Sequence, residues 1–103
     1  MREAMITPTR INNDPSLFST FQYDSNTKKR LIDYMRSINP SSAGGYVEDV
    51  FQDDIETSIP DVGYEDEEFF WSEQDIYFIE KYNLAVEKDF LDHVINKTRD
   101  LAS

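Results

Sequence analysis

The chain has 103 residues, enough for one small domain, and its 21 acidic against 10 basic side chains give a formal net charge of −11. That balance disfavours direct contact with nucleic-acid backbones or anionic membranes and favours a basic protein partner. The absence of cysteine excludes disulfides and thiolate metal sites, and short apolar runs exclude a membrane-spanning helix, so the sequence reads as a cytoplasmic protein.

The distribution of charge matters more than its sum. Residues 1–36 carry Arg2, Arg10, Lys28, Lys29, Arg30 and Arg36 against four acids, and the tail from Lys81 onward balances four against four. Residues 37–80 hold thirteen acids and no Lys or Arg, so this one segment accounts for the whole excess. Apolar side chains make up 39% of the chain and aromatic ones 14%, which supports a compact core built on large rings. The N-terminus lacks the apolar stretch of a signal peptide.

In chain order, "NNDPSLFSTF" predicts a short helix start, because Asp14 can accept from exposed N–H groups and Pro15 suits the first helical position. Leu17, Phe18 and Phe21 then share a face, with an edge strand through Leu17, Phe21 and Tyr23 as the alternative. "SNTKKRLIDYMRSINP" predicts a helix on Leu31, Ile32, Met35 and Ile38, ended by Asn39-Pro40. "NPSSAGG" reads as a loop. "YVEDVFQDDIE" predicts a helix with Val47, Val50, Phe51 and Ile55 on one stripe and Glu48, Asp49, Asp53 and Glu56 toward solvent. "TSIPDVGYEDEE" breaks regular structure at Pro60 and Gly63.

"WSEQDIYFIEKYN" carries a cap signature. Ser72 can cap a helix and Asp75 can reach back in a capping-box variant, Ile76 and Ile79 face the core, and Asn83 is a stop. "VEKDFLDHVINKTRDLA" predicts the last helix, with Val86, Phe90, Leu91, Val94, Ile95, Thr98 and Leu101 in one stripe. The fold class is therefore mostly α, a single domain over residues 1–103 built as a bundle of four or five helices with an acidic loop. The alternative is α+β.

Catalytic signatures are absent. The only histidine, His93, reads as a surface or half-buried structural side chain, since a general base needs a partner and a nucleophile in reach. The acids around residues 53–68 lack the alternation and central glycine of a calcium loop. Three glycines, at 44, 45 and 63, form no phosphate cradle. The sequence thus calls for no cofactor and no metal, and the chain reads as a non-enzyme.

What remains is acidic and aromatic. Uncompensated acids repel one another, so a segment of one sign argues for a partner of the other sign. The candidate contact set is Asp53, Asp54, Glu56, Asp61, Tyr64, Glu65, Asp66, Glu67, Glu68, Trp71, Glu73, Asp75 and Tyr77, with carboxylates to steer and rings to hold. Gly63 to Glu68 reads as a partner-facing loop. Phe69, Phe70 and Trp71 lie at the junction with the core, and the exposure of Trp71 discriminates interface from interior.

The profile as a whole, and "DIYFIEKY" within it, resembles bacterial immunity proteins of the colicin and contact-dependent growth-inhibition type. The resemblance implies an inhibitor that occludes the basic surface of a toxin, of the nuclease class, with a monomer as the favoured state. Two other readings are a DNA mimic acting against restriction enzymes or nucleases, and an acidic regulatory module that folds on binding.

Overall fold

The computed structural model describes residues 1–48 and 58–99 and overturns the mostly-α expectation. Among the described residues, four helices pack with a four-stranded mixed sheet, an α+β architecture. The elements are β1 (Arg2–Glu3), α1 (Pro8–Asn13), a 3₁₀ turn (Pro15–Leu17), α2 (Ser25–Ser37), β2 (Pro40–Glu48), β3 (Ser58–Glu65), β4 (Phe69–Ser72), α3 (Glu73–Tyr82) and α4 (Lys88–Thr98). The strand order is β1-β4-β3-β2, with β1 parallel to β4 and the other pairings antiparallel.

The helices that carry local signals form where the sequence predicts them. Asp24 caps α2 by accepting from the Thr27 amide at 2.8 Å, and Leu31 and Met35 bury its inner face. The capping box of α3 is complete in both directions between Ser72 and Asp75. Asn83 ends α3 in the left-handed conformation at φ 56°, a position that Asn tolerates better than most residues. Toward the N-terminus, Asp14 caps only the single 3₁₀ turn. Helix α1 was not anticipated, although Thr7 as cap and Pro8 at the first helical position are its signature.

The middle of the chain differs from expectation because long-range pairing outweighs local preference. The predicted loop at 39–45 lies largely in β2, and Tyr46–Glu48, expected to begin a helix, complete that strand against Ser58–Pro60. The rest of that predicted helix, including Asp53, Asp54 and Glu56, lies outside the described residues. Two register shifts in β2, between Pro40 and Ser42 and between Ala43 and Tyr46, absorb its extra residues as bulges. Pro60 is tolerated in β3 because β4 pairs only with Gly63–Glu65, so no ladder bond to β4 is missing at Pro60.

One core joins the layers. Phe69 and Trp71 of β4 and Tyr64 of β3 face Leu31 and Met35 of α2, Ile76, Phe78 and Ile79 of α3, and Phe90 and Val94 of α4. Each such side chain stabilises the fold by about 1.5–3 kcal/mol on burial. Two cations of α2 satisfy the carbonyl ends of the other long helices. Lys28 Nζ donates to the Glu80 carbonyl and to Asn83 Oδ1 at the end of α3, while Arg30 donates to the Ile95 carbonyl and to Thr98 Oγ1 at the end of α4. No helix among the described residues is long and apolar enough to cross a membrane.

Candidate functional site

The acidic loop is a tight connection between β3 and β4, and its first carboxylate points inward. Asp66 Oδ1 accepts from the Glu68 and Phe69 amides at 2.8 and 2.7 Å, which folds Asp66–Phe69 into a turn. Asp66 Oδ2 accepts from the Tyr34 hydroxyl at 2.6 Å and from His93 Nε2 at 2.8 Å. The Asp66 side chain is 2% exposed and that of His93 9%. Burial works to raise the Asp66 carboxyl, but Tyr34, the two amides and His93 outweigh it and hold the group below its ordinary range. Burial and the same hydrogen bond push the Tyr34 phenol up.

His93 is thus a tie between the loop and α4. Its Nδ1 lies 3.6 Å from Glu68, and its ring packs edgewise on Tyr34 and against Phe69. One turn further along α4, Lys97 forms an ion pair with Glu67. That contact lowers the Glu67 carboxyl and raises the Lys97 ammonium. A segment that holds no cation of its own therefore receives cations from the helices on either side of it in sequence. Arg36 of α2 does the same for Glu80 at 2.6 Å and Glu73 at 3.8 Å.

The other candidate residues divide in the same way. Trp71 is 3% exposed, donates from Nε1 to the Met35 carbonyl at 3.1 Å, and stacks with Tyr64, so it is a core ring. Tyr64 is buried and donates to Glu73 at 2.7 Å; burial and that carboxylate push its phenol up to about 12. Asp75 is buried as the capping-box carboxylate, and desolvation pushes it up to about 7 although the Ser72 amide and hydroxyl pull it down. Tyr77 is half-buried beside Lys81. Asp61, Glu65, Glu67 and Glu68 are exposed.

Phe70, which the sequence places at the junction with the core and outside the contact set, is not a core ring. Phe70 alternates outward between buried Phe69 and Trp71, remains 37% exposed, and stands opposite Glu65 in the β3–β4 ladder and Glu3 in the β1–β4 ladder. The outer sheet face therefore presents a ring flanked by two carboxylates. The strand alternation of "FFWS" is the signal that would have found it.

Among the described residues, no group of three or more His, Asp or Glu could hold a metal ion. The partners of His93 are Asp66, Tyr34 and Glu68, two carboxylates and a phenol already bound to one of them, so the cluster fastens the loop to α2 and α4. No family model matches the chain, and no curated protein or solved structure matches it either, so what the surface does has to be read from its own charge and shape.

Proposed function

We propose that the protein is a small acidic binding protein of the cytoplasm that neutralises a basic partner, of the kind a toxin nuclease domain presents, by covering its basic surface. It acts by binding and not by catalysis. The observation that carries this reading is the exposure of Asp61, Glu65 and Glu68, beside Glu67 which Lys97 engages, in a segment, residues 37–80, that contains no Lys or Arg. Exposed carboxylates steer a basic surface toward the molecule and raise its association rate. Trp71 and Tyr64 are committed to the core, so Phe70 is the ring that anchors the partner once it docks.

The role is tested by titrating the protein with a panel of purified basic nuclease domains at about 50 mM and about 500 mM salt. Binding is expected to weaken at least about tenfold at the higher salt, and again in a Glu65→Gln, Phe70→Ala double variant. A partner bound equally well at both salt concentrations would remove the electrostatic basis of the proposal.

A further inference from the structure

Strand β2 closes one end of the sheet order, and among the described residues it is hydrogen-bonded only to β3. Its outer backbone edge is a row of donors and acceptors of the kind an extended chain can pair with. Proteins commonly blunt such edges with lysine, proline or bulges; β2 has Pro40 and two bulges, but residues 37–80 contain no Lys or Arg to repel a cationic guest. Ser41 to Gly45 are all exposed, and a β-carbon built on Gly45 would meet nothing within 4 Å. The backbone there is open to close approach.

The edge also has a charge. A β-carbon at Gly44 would come 3.1 Å from Asp61 Oδ2, so the glycine leaves room for a carboxylate of β3 to lie against the edge strand itself. A guest strand would meet that carboxylate beside the backbone it pairs with. A second copy of this chain is a poor guest, because each copy carries a formal net charge of −11 and a second β2 brings no Lys or Arg to the Asp61 carboxylate beside the edge.

We propose that β2 is the docking edge for an extended, arginine- or lysine-bearing segment of the partner, which adds to the sheet as a further strand. This rests on the basic-partner reading and specifies how that partner engages. Backbone pairing supplies register and the acids supply selectivity for cationic side chains. The two bulges twist β2 and shorten its regular stretches, so the added strand pairs over few residues and its affinity is salt-dependent.

The probe is a synthetic peptide of about nine residues alternating arginine and valine, a length matched to β2. Two relatives accompany it: the same peptide with alternate backbone amides N-methylated, and a peptide alternating glutamate and valine. Amide exchange and chemical shifts of the full chain are followed during titration. The arginine peptide is expected to slow exchange within residues 40–48, and N-methylation to weaken its binding by about tenfold or more.

Equal binding of both arginine peptides would overturn strand addition while leaving the basic-partner reading intact. Binding of the glutamate peptide as tightly as the arginine peptide would overturn both. Lack of binding by every peptide at low salt would overturn the strand edge, as would a dimer of the protein alone that protects the same amides.

Discussion

Two carboxylates, one on either side of β4, both turn inward and carry opposite burdens, Asp66 in a partly exposed turn and Asp75 buried at a helix start. Asp66 closes the turn before the strand, and all its acceptor positions face donors: two amides, a phenol and an imidazole. Asp75 opens the helix after it, where Oδ2 accepts from the Ser72 amide but Oδ1 has no hydrogen-bond partner, with Glu3 adding like-charge repulsion. The first is held below its ordinary range and the second rises to about 7. Deeper burial and fewer donors both push Asp75 up, whereas four donors outweigh the desolvation of Asp66.

The largest effect expected from breaking this contrast is at Asp66. Asp66→Ala leaves His93, Tyr34 and two amides without their acceptor and should cost about 3–5 kcal/mol in urea unfolding. Because the folded-state carboxyl is depressed, its stabilisation is present above the ordinary value of 3.8 and is lost as pH falls below it. Asp75→Asn should do the reverse. A raised carboxyl contributes stability that is complete below 3.8 and lost as pH rises through about 7, so the neutral amide should stabilise the protein increasingly over that window. By about pH 8 the gain should reach roughly 2 kcal/mol, read from unfolding midpoints across pH. A constant or negative effect of Asp75→Asn would show that the buried oxygen is better satisfied than its geometry indicates.

Tyr34→Phe tests how much of the Asp66 environment comes from outside its own turn. The phenol donates to an ionised acceptor at 2.6 Å, so its removal should cost about 1.5 kcal/mol and weaken the attachment of the loop to α2. Unchanged stability would assign the carboxylate entirely to the turn amides and His93.

The same contrast explains what could be read from the sequence. The Ser72–Asp75 cap and the Asn83 stop are contacts between near neighbours, so residue type and spacing identify them. The inward turn of Asp66 depends on Tyr34 and His93, which lie 32 and 27 residues away, and no local pattern encodes that meeting. Strands β2 and β3 were hidden for a related reason. Gly44, Gly45, Pro60 and Gly63 are loop residues by propensity, and only pairing across the hairpin, with bulges to absorb the mismatch, makes strands of them. Part of the charge of the thirteen-acid segment is likewise met from a distance, because Arg36 and Lys97, which pair with Glu73, Glu80 and Glu67, come from helices that flank it in sequence.

The smallest effect is expected at Ser72, and it has a distinctive pH dependence. The Ser72 hydroxyl accepts from the Asp75 amide at 3.2 Å, so Ser72→Ala should cost about 1 kcal/mol as an ordinary lost cap. The same hydroxyl also pulls the Asp75 carboxyl down, partly offsetting desolvation. Without it that carboxyl rises further, and a raised group withdraws its stability as pH climbs. The penalty for Ser72→Ala should therefore be larger near pH 8 than near pH 4. In an Asp75→Asn background the pH-dependent part should vanish while the cap penalty persists, because Asn has no proton to lose over that range. A double-mutant cycle measured at both pH values separates the two contributions. A penalty that stays level with pH in the wild-type background would mean that Ser72 acts on the helix end alone and leaves the carboxylate unaffected.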